Sequence, residues 1–554
     1  MSVVSQIPPI DTPLLRKERG AFFTPPAITR FIATWAIRAS DDRVLEPSAG
    51  DAAFLISAVE RLRELGSSRC SNPRVHGVEI HPHSAEVARN RIAAAEGEAE
   101  ITISDFFSVT PDPSFDAVIG NPPYIRYQDF SGDARARARE AAIRGGISLT
   151  GLASSWAAFT VHAALFLKRG GRLAFVLPAE LLSVNYASPV RKFLFSQFRD
   201  VQLVLFDEQV FPEAEADVVL LLADGYREGP ADYATIRQTK NATTLDTIGP
   251  GQSWTPTDPA GKWTSILVDA DTVHLLLTLS AAGLYTDLET WGDTTLGMVT
   301  GNNKYFTLSP QRVAELGLQP DELLSLSPPG SSHLRGLSLT HAQLKKLGEN
   351  GSATQLFYPK DPPSEAAAAY IADGHRTGVD TAYKCRVRKT WYRVPLIPPA
   401  DLLLTCMNAD TPRITDNAAN ARHLNSVHGV YLNEAHRRLG RELLPLASLN
   451  SLTLLHAEMV GRAYGGGILK IEPKEADVWA MPSPALVASR AEELRAIKRN
   501  VARLLERGRL LDAVEILDQV LLGDGEISAI QMVAIRKARA ELANRRTQRA
   551  ASGR

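Results

Sequence analysis

Between Arg43 and Ala223 the chain alternates short apolar runs with helical stretches, and most of the runs end on a polar residue or a turn. Few folds accept that rhythm, because parallel strands need crossovers long enough to hold a helix. Arg43-Val44-Leu45-Glu46 reads as a strand ending in the turn Pro47-Ser48-Ala49-Gly50, with Asp51 capping a helix that runs through Leu65. Val75 to Glu79 predicts a second strand, Ile101 to Ile103 a third, and Phe115 to Gly120 a fourth that closes on Asn121-Pro122-Pro123. A helix near Trp156 to Leu167 leads into a fifth strand, Arg172 to Leu177. Val201 to Phe206 and Asp217 to Ala223 follow without a helix between them and read as a hairpin. The expectation is an open α/β sheet with an antiparallel last pair.

A length of 554 residues exceeds one ordinary domain, and 44% apolar with 22% charged residues is the balance of a soluble globular chain. No apolar run approaches the roughly 20 residues of a membrane helix. Met1 to Pro26 is Pro-rich and carries acids, unlike a secretory leader. Cys70, Cys385 and Cys406 are too few and too scattered for a disulfide framework or a zinc cluster, and fit a reducing cytoplasm. No metal site is expected. A net charge of −1 gives no global attraction to nucleic acid, so such contact must come from local basic stretches. The expected organisation is an arm at 1–18, a domain at 19–240, a second domain at 241–485 and a helical segment at 486–554. Its basic end, Arg545 to Arg554, is expected to fray. The polar stretch Gly225 to Thr264 reads as a boundary.

Asn121-Pro122-Pro123-Tyr124 sits straight after a strand, where an open α/β sheet places its ligands. An aromatic exocyclic amine is a poor nucleophile because its lone pair is delocalised into the ring. The Asn121 side-chain oxygen and the Pro122 carbonyl can each accept one of its N–H groups, drawing the nitrogen toward tetrahedral geometry and aiming its lone pair at a methyl donor. Two prolines hold those acceptors in place, and Tyr124 offers a face to a base flipped from a duplex. The turn Glu46 to Asp51 lets a ligand approach the backbone. Glu79, ending the second strand, is placed for ribose hydroxyls. Asp105 can accept from an adenine amine, and Phe106 can cover its ring.

These residues, with Gly20-Ala21-Phe22-Phe23-Thr24-Pro25-Pro26 ahead of them, resemble the gamma-class N6-adenine DNA methyltransferases of type II restriction–modification systems. The resemblance implies a class I S-adenosylmethionine-dependent methyltransferase fold, a Rossmann-like seven-stranded sheet with one antiparallel strand, as the catalytic domain. It implies that Thr24, Glu46, Ser48 and Gly50 hold the methionine end of S-adenosylmethionine. Glu79 and Ile80 would then serve the ribose, and Asp105, Phe106, Asn121 and Pro123 the rest of the cofactor. Asn121 and Pro122 would orient the target amine, with Tyr124 on one face of the base and Phe211, in Val210-Phe211-Pro212, on the other. The competing reading of Phe211 is a core residue of the hairpin.

Thr300-Gly301-Asn302-Asn303, the run Lys384 to Pro395, and Gly461 to Gly467 with Leu469 to Glu475 resemble the modification methylases of the TaqI and XamI kind. In that family this half is a mixed α+β target-recognition domain followed here by a helical tail. Tyr383 to Arg393 interleaves cations with aromatics, as a DNA-contacting surface does. Lys384, Arg386, Arg388, Lys389, Arg393 and Asn302 are the expected DNA contacts, and on a strand Lys384, Arg386 and Arg388 would share a face. Arg135, Arg137 and Arg139 read as a solvated helix. No phosphate-binding Gly-Lys-Ser/Thr loop occurs. Too few residues precede Thr24 for a fused nuclease, and Pro473 argues against a nuclease strand at Glu472-Pro473-Lys474. The expected partners are double-stranded DNA and a cognate restriction endonuclease or other defence partner, with no membrane. The alternatives are transfer to an RNA base, cytosine N4 or a protein glutamine, and a DNA-binding specificity subunit without activity.

Overall fold

The computed structural model describes residues 24–66, 72–125, 128–130, 132–208, 210–211, 218–256, 258–464, 466–523, 525 and 527–551. The arm at 1–18, Gly20 to Phe23, Cys70, Pro212 and Gly465 lie outside them. The chain forms two compact units, the first ending at Ile266 and the second running Leu267–Ala550.

The first unit is built on nine strands. They are β1 (Val44–Glu46), β2 (Arg74–Glu79), β3 (Glu98–Ile103), β4 (Phe115–Gly120), β5 (Leu167–Pro178), β6 (Phe198–Phe206), β7 (Val218–Tyr226), β8 (Ala234–Thr239) and β9 (Gln252–Trp254). Their order is β3-β2-β1-β4-β5-β7-β6-β8-β9. β1 to β5 pair in parallel, while β7 runs antiparallel to both β5 and β6. β1, β4 and β7 are buried along their whole length, as central strands covered on both faces must be. Helices lie between the parallel strands: α1 (Pro26–Ala36) before β1, α2 (Ala53–Glu64), α3 (Pro82–Ala94), α4 (Gly132–Arg144) and α5 (Ser155–Ala164). α1 starts with proline in its first turn and buries Ile28, Ile32, Ala33 and Ala36, one stripe at helical spacing. Arg172 on β5 and Asp42 just before β1 form a buried ion pair at 2.9 Å.

Three expectations change here. The stretch read as a boundary supplies β8 and β9, which extend the seven-stranded core at its β6 edge, β8 parallel to β6 and β9 antiparallel to β8. Asp51 does not cap α2. Ala52, in the left-handed region at φ 65°, takes the cap position, and the Asp51 carboxylate pairs with Arg91 at 2.5 Å instead. Arg137 on α4 is not simply solvated, because it pairs with Asp105 at 2.8 Å.

In the second unit a four-stranded antiparallel sheet takes the order 292–296, 427–432, 402–405, 414–416. One apolar core joins this sheet to the helices of the predicted tail: Trp291, Leu402 and Val430 share it with Leu494, Val501, Leu517, Leu521 and Ile535. Two buried indoles are anchored by hydrogen bonds, Trp291 Nε1 to the Pro482 carbonyl at 3.0 Å and Trp479 Nε1 to Thr453 at 2.8 Å. The basic end does not fray at Arg546, which is only 5% exposed. Pro473 opens the helix Pro473–Asp477, so no strand forms at Glu472-Pro473-Lys474. Among the described residues no single helix is long and apolar enough to cross a membrane.

Candidate active site

Parallel strands that share a direction place their C-terminal ends along one edge of the sheet, and the chemically capable residues lie there. In spatial order the edge carries Asp105 after β3, Glu79 at the end of β2, Glu46 at the end of β1, Asn121 after β4 and Val176 on β5.

Glu46 is 3% exposed, and its Oε2 has no hydrogen-bond partner. Burial, reinforced by the charges of Asp51 and Glu79, pushes its carboxyl well above the ordinary range. Its neighbour across the sheet is the residue before Asn121: a Cβ on Gly120 would stand 3.5 Å from Glu46 Cγ. The turn after Glu46 places Gly50 at φ 50°, and a Cβ there would meet nothing within 4 Å, so the backbone is open to a ligand. The Gly50 amide donates to Glu79 Oε2 and the His81 amide to Glu79 Oε1, both at 2.9 Å. Asp105 accepts from the Phe107 amide at 3.0 Å and from Arg137 Nε at 2.8 Å.

Asn121 is gripped from three sides. Its Nδ2 donates to Thr24 Oγ1 at 3.2 Å, the Tyr124 hydroxyl donates to its Oδ1 at 2.7 Å, and Ser48 Oγ donates to its carbonyl at 3.3 Å. These contacts hold the amide plane from both ends. The Tyr124 hydroxyl also lies 3.0 Å from the Val176 carbonyl. Burial holds its phenol well above the usual range, so the hydroxyl keeps its proton and serves as a donor. Ser155, at the start of α5, accepts from the Ile125 amide at 2.9 Å and donates to the Pro123 carbonyl, bracing the proline turn from behind.

The structure therefore brings together Thr24, Glu46, Ser48, Gly50, Glu79, Asn121, Pro122 and Tyr124, with Asp105 further along the same edge. Pro122 is buried and Pro123 half-buried. Ile80 is 55% exposed. Phe106 stands otherwise than expected: its ring lies in a buried cluster, 4.7 Å from Phe159 and from His162 and 5.1 Å from Phe166. Phe211 is 5% exposed and belongs to the apolar core with Phe206, Val218 and Leu220, the place of a core residue. Ser155, Val176 and Arg137 were not singled out as site residues; each enters through distant pairing that no local pattern encodes.

In the second unit the expected strand at 384–388 is a short helix, Tyr383–Arg386, which buries Cys385 and leaves Lys384 and Arg386 exposed. Lys384, Arg386 and Arg388 thus do not form one strand face. Arg388 donates to the carbonyls of Val299 at 2.8 Å and Trp391 at 3.3 Å. Arg393 lies over the Tyr358 ring at 4.9 Å, and Asn302 accepts from the Tyr305 amide at 3.2 Å as a helix cap. Lys384, Arg386 and Lys389 remain the exposed cations of the run, beside the exposed Tyr383 and Val387.

A sheet of order 3-2-1-4-5-7-6 with its seventh strand reversed, carrying acids at the ends of its first two strands, is the fold of the class I S-adenosylmethionine-dependent methyltransferases. Residues 12–236 match the N-6 DNA Methylase family, and residues 260–522 match the C-terminal domain of Type II methyltransferase M.Eco57I. The first unit is thus similar to the N-6 DNA methylases and the second to the C-terminal domain of a type II methyltransferase. Type II methyltransferase M.XamI of Xanthomonas campestris pv. amaranthicola is 28% identical over 479 residues, covering 84% of this chain and 85% of the relative. Type II methyltransferase M.AccI of Acinetobacter calcoaceticus is 21% identical over 476 residues, covering 83% and 84%. The solved structure of the Type IIL restriction-modification enzyme MmeI in complex with DNA has a similar fold, with a TM-score of 0.56 at 12% identity over 94% of this chain and 75% of that one.

Proposed function

We propose that the protein methylates the exocyclic N6 of adenine at a specific site in double-stranded DNA, as the cytoplasmic modification enzyme paired with a cognate restriction endonuclease. The observation that carries this reading is the orientation of Asn121. Thr24 holds its amide nitrogen and Tyr124 its oxygen, at a rigid Pro-Pro turn beside the Glu46 carboxylate.

The edge fits S-adenosylmethionine. A buried carboxylate oxygen without a partner at Glu46 asks for a donor, and the ammonium group of the cofactor's methionine end is one. The open backbone at Gly50 admits that end, with Thr24 and Ser48 beside it. Glu79 would take the ribose hydroxyls, and Asp105 the adenine amine, exchanging part of its present pairing with Arg137. When bound, the cofactor supplies an electrophilic methyl group on a sulfonium. We expect Glu79→Gln to weaken cofactor binding about tenfold or more, the worth of one hydrogen bond to a charged group. Titration calorimetry with S-adenosylhomocysteine reads it, and unchanged affinity would take Glu79 out of the cofactor site.

The chain's own contribution is to grip the amine. Asn121 Oδ1 and the Pro122 carbonyl accept its two N–H groups, so its lone pair turns out of the ring plane. The Tyr124 hydroxyl has a single proton and two acceptors within reach, Asn121 Oδ1 at 2.7 Å and the Val176 carbonyl at 3.0 Å. It can turn to Val176 when the amine takes Asn121. Its ring would stack on the flipped base. The exposed cations Lys384, Arg386 and Lys389 would meet phosphates. Arg388, Arg393 and Asn302 would act by holding the loops that carry them.

Sequencing that detects modified bases, applied to DNA from cells expressing the protein, tests the assignment. Methylated adenine within one short recurrent sequence is expected. Modified cytosine, or unmodified DNA, would shift the reading to cytosine N4 or to RNA or protein substrates.

A further inference from the structure

The C-terminal helix (Ala529–Ala551) lies beyond residue 522, where the match to the second family domain ends. Its apolar residues Ile535, Ala538 and Leu542 are buried in the core of the second unit, which is enough to dock a helix. One turn further on it does something a docking helix does not need. Arg546 is 5% exposed, and its guanidinium spreads its N–H donors over four residues in three segments of the chain. Nε and Nη2 grip both oxygens of Glu458 at 3.0 and 2.8 Å. Nη2 also donates to the Asp410 carbonyl at 3.0 Å, and Nη1 to the carbonyls of Ala409, at 3.3 Å, and Gly467. The Arg546 and Glu458 side chains are each 4% exposed.

Gly467 belongs to a hairpin whose strands pair Arg462 with Lys470 and Tyr464 with Ile468, with Met407-Asn408 along its other side. One face of this small sheet is buried through Leu469 and Asn408. The other presents Tyr464, 58% exposed, and Met407, 37% exposed. The Lys470 ammonium stands 5.6 Å from the centre of the Tyr464 ring and 2.5 Å from Glu472. Gly466 and Gly467 both adopt left-handed conformations, at φ 75° and 72°, a turn with little rigidity of its own. A buried ion pair stabilises a fold little more than apolar residues of the same volume would; what it specifies is a conformation.

We propose that Arg546 is a positioning residue for the Tyr464 hairpin, and that the C-terminal helix is thereby a working part of the DNA-reading half. The inference rests on the DNA-methylating reading above. Tyr464, an aromatic ring held outward beside a cation, is the element presented to DNA. Arg546 fixes its angle by tying the turn at Gly467 to the helix carrying Glu458.

Two variants separate positioning from folding. Arg546→Lys keeps a positive charge opposite Glu458 but has only three donors, too few for the fan. Arg546→Met with Glu458→Leu removes both charges and leaves an apolar pair. Both are expected to melt below the parent, because buried carbonyls lose a donor, yet to unfold cooperatively and to bind S-adenosylhomocysteine as the parent does. Hydrogen exchange of the amides at 462–470 should quicken about tenfold or more, and the KM for DNA should rise about tenfold with kcat held, since the contact with one base is lost. Tyr464→Ala should raise the KM for DNA as much, without faster exchange at the base of the hairpin. Unchanged exchange in both Arg546 variants would overturn the tether, and a normal DNA KM in Tyr464→Ala would overturn the presentation to DNA. If the parent protein transfers no methyl to DNA, the underlying reading fails, while hydrogen exchange still decides the tether.

Discussion

Asn121→Ala is expected to lower kcat for methyl transfer about 10²- to 10³-fold while leaving cofactor affinity within about twofold. That magnitude is what one preorganised polar contact to a reacting group is worth in a water-excluded site. The substitution removes the acceptor Oδ1 and the Nδ2 donor to Thr24 Oγ1, while the carboxylates and the open turn that hold the cofactor stay in place. Glu46, Gly50 and Glu79 are held by β1, β2 and the turn between β1 and α2. Tyr124 keeps the Val176 carbonyl as a partner at 3.0 Å, so its ring stays anchored. The loss therefore falls on the chemical step. Single-turnover kinetics with saturating DNA, beside calorimetric titration of S-adenosylhomocysteine, separates the two. A variant that turns over normally would remove Asn121 from the mechanism. One that loses cofactor and activity together would place it in the binding site instead.

The second large effect is on stability against acid. His423 is fully buried, and neither of its ring nitrogens has a partner. Burial, with the charge of His428 adding to it, lowers its pKa to about 4. His162 in the first unit is equally buried and is also lowered to about 4, its Nε2 facing the Phe106 carbonyl at 3.1 Å. In the unfolded chain each imidazole takes up a proton near pH 6.5. Stability is therefore complete above about pH 6.5 and is lost as pH falls from there toward 4, because only the unfolded chain gains protons in that window. Each buried imidazole accounts for about 2 kcal/mol lost at pH 5 and about 3 kcal/mol near pH 4. Urea unfolding at pH 7.5 and pH 5 measures the loss for each unit. His423→Leu, which removes an unpaired buried polar group, should unfold with a visibly shallower acid dependence in the second unit. An acid dependence equal to the parent's would show that His423 is not held neutral.

The edge that carries the candidate site is legible because each parallel strand is an apolar run that stops at one polar residue. Glu46, Glu79 and Asn121 could be placed at strand ends without knowing the strand order. β8 and β9 were not legible. Ala234-Thr235-Ile236-Arg237 alternates buried with half-buried positions between β6 and β9, and its polar half resembles a linker. At 383–388 a cation at every second residue imitates a strand, but burial of Cys385 closes the segment into a helical turn. Rings are ambiguous for another reason. Phe106 and Phe211 are as suited to a core as to a ligand, and only their packing against Phe159 and within the Val218–Leu220 core shows where they went. Arg546 reads in sequence as part of a frayed tail because its four partner residues come from three distant parts of the chain.

On the proposed function, an amine held by Asn121 and Pro122 receives the methyl group. DNA incubated with the protein and isotopically labelled S-adenosylmethionine, then digested to nucleosides and weighed, tests it most directly. All label in N6-methyldeoxyadenosine from the parent protein, and almost none from Asn121→Ala, is the predicted result. Label in N4-methyldeoxycytidine, or equal label in N6-methyldeoxyadenosine from both proteins, would contradict it.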